Sequence, residues 1–288
     1  MSRTSSSKPV GFTATKDIFV SAIRFAVSIE EPCFPFGDKL RISAQEQVDY
    51  MLGEDEDITN IMADDEVKSV VRIGVYNIIH SFEADLTLLL LNPTLEFETG
   101  VDSTIMRRVM DLEWMCNVLP KMDLMKSFVS NWIAISSKIL VIIEDEKFDN
   151  IMWGLKVKVI ELTCKVLEAV SYGSVIVPAP SRVQLLKTWF PYVQKMKPLL
   201  DSKAVAKTDF RYVMDEDLCQ AIEGAIVSLV LTLPSNDQAD ILADWIGSRE
   251  VGYPDLSEAF EVWSYRSKSA KRRLVEGLHG NSDAAISS

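Results

Sequence analysis

Apolar residues along this chain recur at steps of three and four. From Lys16 the positions Ile18, Ile23, Ala26 and Val27 fit one helical face, and the pattern breaks at EPCFPFG, where two prolines and a glycine interrupt it. Ser43, with Glu46 three residues on, reads as a capping box for a short helix ending near Leu52. After an acidic connection, Val67, Val70, Val71, Val75, Ile78, Ile79, Phe82 and Leu86 form a broad stripe, with Asp64, Asp65 and Glu66 in the first turn, where negative charge suits the helix dipole. A break at NPTLEFETG closes that helix.

The remainder repeats the pattern. Ile151, Leu155, Leu162, Val166 and Val170 predict a helix over 151–173 that stops at Gly173. SVIVPAP is β-branched but closed by two prolines, which makes it a connector. Ser181 is placed to cap RVQLLKTWF, which Pro191 ends or kinks. Residues 217–233 are apolar nearly all round and predict a central buried helix. Ser235 with Gln238 forms a second capping box, and Gly247 stops the helix that follows. No stretch alternates with period two for long enough to build a sheet, and no fixed-period repeat emerges. The expected fold is all-α: an irregular multi-helix bundle or short helical array of about ten helices with disordered termini. Its expected divisions are a disordered tail over 1–15, an N-terminal helical region over 16–100, a C-terminal helical region over 101–264, and a basic, partly disordered tail over 265–288.

Composition narrows the function. Hydrophobic residues make up 48% of the 288, enough for a sizeable core, and the net charge of −12 repels phosphate backbones and anionic membrane surfaces. Neither nucleic acid nor membrane is therefore an expected partner. The run TLLLLN at 87–92 is far shorter than the roughly 20 residues that span a bilayer. Cys33, Cys116, Cys164 and Cys219 are widely separated, which points to a reduced, intracellular setting, cytoplasm or nucleus.

Candidate chemistry is sparse. The two histidines, His80 and His279, lie far apart, with no Cys/His ligand spacing, no nucleophile elbow and no glycine-rich phosphate loop. The loop from Asp55 sets Asp57, Thr59 and Glu66 as a calcium loop would, but Asn60 stands where a glycine is needed and Ala63 at position 9, so a solvated acidic loop is the better reading. Trp114, Trp132, Trp153, Trp189 and Trp245 fall on separate helices, as core residues or interface anchors. KSAKRR, 268–273, reads as a helix-terminal cation cluster ahead of a nuclear localisation patch. Nothing nominates a catalytic, cofactor-binding or metal-binding residue, and no cofactor is expected.

The stretch WMCNVLPKMDLMKSFVSNW, 114–132, resembles the C-terminal region of a plant family of BTB/POZ domain-containing proteins. SAQEQVDYML at 43–52, MWGLKVKVIELTCKVLEAVSYG at 152–173, PAPSRVQLLKTWFPYVQKMKPLLD at 178–201 and DEDLCQAIEGAIVSLVLTLPSNDQADILADWI at 215–246 extend the resemblance. It implies a non-enzymatic adaptor linked to substrate recognition by a cullin-RING ubiquitin ligase. The implied partners are BTB/POZ relatives, ligase components and an unknown substrate protein. The BTB fold itself, which mixes strands and helices, has no counterpart in the expected helices. Within 114–132 the apolar positions Trp114, Met115, Val118, Leu119, Met122, Met125, Phe128, Val129 and Trp132 step by three and four across Pro120, which predicts two helices joined by a kink and packed inward. The rival readings are a free-standing scaffold or oligomerisation module, and an enzyme whose acidic residues converge only in three dimensions.

Overall fold

A computed structural model describes residues 10–28, 38–54, 61–91, 101–148, 152–247 and 252–284. Among them are ten α-helices and no strand: α1 (Val10–Ala26), α2 (Lys39–Glu54), α3 (Asp65–Leu91), α4 (Val101–Val118), α5 (Met125–Ile143), α6 (Trp153–Ser171), α7 (Ala179–Ala206), α8 (Glu216–Leu231), α9 (Ser235–Gly247) and α10 (Ser257–Ala284). The expected all-α class and helix number hold. Among the described residues, helical backbone includes Val10, within the stretch read as a tail, and reaches Ala284. The chain forms two compact units, 1–162 and 163–288, and the helices either side of residue 100 share the first.

In the first unit α1 packs on α2 and α3, and α3 on α4 and α5. The buried stripe of α3 (Val67, Val71, Val75, Ile78, Ile79, Phe82, Leu86, Leu89) follows the sequence periodicity. Asp64 caps this helix, its Oδ1 accepting from the Glu66 N–H at 3.0 Å. Lys16 donates to Asp64 at 2.9 Å and to Glu66 at 2.7 Å, and that Lys16 hydrogen bond holds the Asp64 carboxyl below its usual range. The kink expected at Pro120 is a 3₁₀ turn, Leu119–Met122, closed by Asp123 in the left-handed region at φ 56°, whose N–H returns to the Leu119 and Pro120 carbonyls. A short acidic side chain tolerates that conformation. Phe82, Phe128 and Trp132 then stack, with centroids 6.4 Å and 6.1 Å from the Trp132 ring, all three fully buried. α5 is long and apolar enough to cross a membrane by length and composition, yet 11 of its residues are buried within this structure.

In the second unit α8 packs on α7, α9 and α10, and α9 on α10. Only one side of α8 is closed: Ile222, Ala225, Ile226, Val227, Leu229 and Val230 are buried, while its first turn is open to solvent. Gly173, at φ +79°, turns the chain out of α6, and the Val175 N–H returns to the Ala169 carbonyl at 2.8 Å.

The three expected serine caps fail, each for a local reason. Ser43 lies inside α2, whose first turn closes on the Asp38 carbonyl. Ser181 lies inside α7, because Pro178 and Pro180 start that helix where a missing N–H costs nothing, and the Ser181 and Arg182 N–H groups reach the Pro178 carbonyl. α7 also runs on through Pro191 and Pro198. Gln238 turns backwards, its Nε2 donating to the Leu233 carbonyl at 2.7 Å, so it closes the preceding helix instead of boxing its own.

Helices α1 and α3 meet closely at Gly74. A Cβ there would lie 2.3 Å from Val27 Cγ2 and 2.7 Å from Val27 Cβ. Gly74→Ala should gain about 1 kcal/mol of helix propensity but lose more to overpacking, for a net destabilisation of about 1–2 kcal/mol in urea unfolding. Adding Val27→Ala should cost less than the two single losses summed; strict additivity would show that the contact does not limit this crossing.

Candidate functional site

The largest concentration of buried charge lies where α2, α3 and α4 meet. Residues 107, 108, 111 and 114 share one face of α4, so two guanidinium groups, a carboxylate and an indole point the same way. Asp111 accepts from Arg41 and, at 3.0 Å, from Gln45 Nε2. Arg41 and Arg107 both reach Asp38 Oδ1 at 3.3 Å, Arg108 Nε stands 3.7 Å from Asp85 Oδ2, and Trp114 Nε1 donates to Asp49 at 3.0 Å. Burial pushes the Asp111 and Asp85 carboxyls up, with the neighbouring arginines pulling the other way. Side-chain exposure of only 4% at Asp111 and 12% at Arg41 leaves no approach for a substrate. The chemistry is that of a charged clamp between helices. Nothing in the periodicity marked it; the signal available was RR-x-x-D-x-x-W at helical spacing within an otherwise apolar segment.

The described thiols are buried or half-buried. Cys116 and Cys164 are buried, and burial pushes the Cys164 thiol up to about 12. Burial also raises Cys219, whose Sγ lies 3.6 Å from the Met214 carbonyl. Tyr253 donates to the Cys219 carbonyl at 3.0 Å, and burial holds its phenol above the ordinary range. A thiol kept protonated is a poor nucleophile. Lys156, also buried, donates to the Phe148 carbonyl at 2.6 Å and lies 4.8 Å over the Trp153 ring.

The other marked residues are dispersed. His80 is exposed on α3, with the Tyr76 ring 4.1 Å away and Glu83 at 3.9 Å. The His279 side chain, Cys33 and positions 55–60 of the acidic loop lie outside the described residues. No group of three metal-ligating side chains occurs among the described ones. Trp132, Trp153 and Trp189 are buried, while Trp114, Trp245 and Trp263 spend their indole N–H groups on Asp49, Pro254 and Ser235.

Open features occur among the described residues, and two of them bear on contact. A groove of about 510 Å³ in the second unit has Gly224, Val227 and Leu231 of α8 as floor and Glu223, Asp255 and Glu258 as rim, with Glu223 accepting from the Asp255 N–H at 2.7 Å. A pocket of about 440 Å³ at the start of α5 is lined by Arg72, Lys126, Ser127, Ser130 and Asn131. In neither does a described hydroxyl donate to a basic side chain. Both are surfaces suited to contact.

Arg41→Ala leaves the Asp111 carboxylate with Gln45 and the charge of Arg108 alone and should cost about 3 kcal/mol in urea unfolding, with the deficit narrowing as pH falls. The sign follows from burial: a carboxyl whose folded pKa is raised favours the protonated folded state, so its burden lifts as it takes up a proton. An Arg41→Met/Asp111→Leu pair should recover part of the loss; a double variant worse than either single change would remove the clamp reading. Iodoacetamide on the native chain should leave Cys116 and Cys164 unlabelled in peptide mapping and label both after unfolding. Rapid native labelling of Cys164 would contradict its enclosure.

Residues 93–270 match the family described as BTB/POZ Ankyrin-like repeat. A BTB/POZ domain-containing protein of Arabidopsis thaliana is 41% identical over 280 residues, which cover 96% of this chain and 62% of that protein. A second Arabidopsis BTB/POZ domain-containing protein is 26% identical over 165 residues, 54% of this chain and 28% of its own. The chain thus spans less than two thirds of the length of either relative. No solved structure matches. A family match across more than half of the chain, with 41% identity along nearly all of it, means that this chain belongs to the BTB/POZ family of plants, in its Ankyrin-like repeat group.

Proposed function

We propose that this chain is a non-enzymatic protein-interaction module that helps hold a substrate protein for ubiquitination by a cullin-RING ligase, inside the cell. The observation that carries this reading is the family match over 93–270, shared with proteins named for their BTB/POZ domains. The described chemistry is consistent with it: thiols held protonated by burial, buried charges spent on helix clamps, indoles spent on packing, and open features that are grooves and not reaction centres. In such adaptors the BTB fold engages the cullin and a further region holds the substrate; this helical region takes the second part.

Affinity capture of the chain from plant extract, followed by mass spectrometry, tests the link to the ligase. Cullin-RING subunits recovered together with a BTB/POZ protein are expected. Reproducible partners without any cullin would overturn the ubiquitination role and leave a scaffold that works apart from the ligase.

A further inference from the structure

Helix α10 presents its outer face as a stripe that complements itself when reversed. Its inner face is spent on the second unit: Leu256 just ahead of it and Ala259 are fully buried, and Trp263 Nε1 donates to the Ser235 carbonyl at 3.2 Å. Facing away are Glu258, Glu261, Tyr265, Lys268 and Arg272, all exposed, Tyr265 at 75%. Their spacings of three, four, three and four are those of the a and d positions of a helix–helix seam. Within the stripe the two acids come first, the tyrosine sits in the middle, and the two bases come last. The acidic end is reinforced by Asp255 and Glu223 across the groove, and the basic end by Lys271. None of the four cations from Arg266 to Arg272 forms an ion pair with another described residue.

We infer that the outer face of α10 is a self-association surface that binds a second copy of this chain in antiparallel register about Tyr265. Turning a copy end for end about Tyr265 sets Arg272 against the second copy's Glu258 and Lys268 beside the second copy's Glu261, with the two tyrosine rings meeting at the axis. Such an isologous contact uses each pair twice and closes at two chains. The stripe spans about 21 Å, fourteen residues at ~1.5 Å each. In a single chain Lys268 and Arg272, four apart, repel one another, and so do Glu258 and Glu261, three apart; the reversed copy relieves both. Charge complementarity favours a second copy over an unrelated helix, because the complement is present in the same sequence, in the required order and at the required spacing.

The test is a charge exchange on the whole chain, read by analytical ultracentrifugation at low and high salt. The unaltered chain should dimerise, more weakly as salt rises. Variant one, Glu258→Lys with Glu261→Lys, and variant two, Lys268→Glu with Arg272→Glu, should each self-associate at least about tenfold more weakly, since attraction becomes repulsion at every pair. Mixing the two variants should restore a dimer containing one of each. Circular dichroism should show unchanged helix content, as all five positions are exposed; if either double variant loses helix, Tyr265→Glu, which sets two carboxylates at the axis, replaces it in the comparison. A monomeric unaltered chain at low salt overturns the inference. So does a dimer that survives both variants, or a pair of monomeric variants that do not combine.

Discussion

The burial of Trp132 is the contact on which the first unit depends. Its indole is stacked with Phe82 from α3 and Phe128 from its own helix, and all three rings are closed to water. Aromatic groups of this size supply the largest single burials available to a chain, and their flat shapes admit few alternative packings. With α3 and α5 fixed in this way, the 3₁₀ turn around Pro120 has one place to go, and α4 is drawn alongside with its arginines and Asp111 facing inward. The charged clamp is therefore a consequence of the apolar seam. An ion pair removed from water is expensive to form alone, and here it closes a junction that the rings have already brought together.

The second unit is arranged differently. Its apolar helix α8 buries one side and leaves the other as a groove with an acidic rim, and the tyrosine and thiol groups nearby are tied to backbone carbonyls. Polar side chains used in that way fix loops and helix ends. Among its described residues the unit offers an open groove with an acidic rim, a surface suited to contact.

Much of this architecture was legible in the periodicity of apolar residues. The stripe of α3, the break at Pro120 and the exit at Gly173 stand where spacing and breakers put them. Caps were less legible. Several hydroxyl and acidic residues compete near every helix start, and the winner is decided by which backbone leaves helical dihedrals first: Asp38 ahead of Ser43, Pro178 ahead of Ser181. The clamp was illegible because arginines and aspartates in a chain with 25% charged residues look like solvated surface until the facing helix is known. The α10 stripe was hidden for the converse reason. KSAKRR drew notice as a block of charge, whereas its order relative to Glu258 and Glu261 has meaning only once the inner face of that helix is identified.

Helix α7 carries a final consequence. Pro191 and Pro198 are seven residues apart, so both lie on one side, and both are exposed. Each proline removes one N–H donor from the helical ladder, while Leu185, Leu186, Trp189, Phe190, Val193, Met196 and Leu200 keep the opposite side buried. The helix is thus held in place by its side chains more than by its backbone. Its continuity is a property of the tertiary structure: excised as a peptide, the same 28 residues would have little reason to remain one rod.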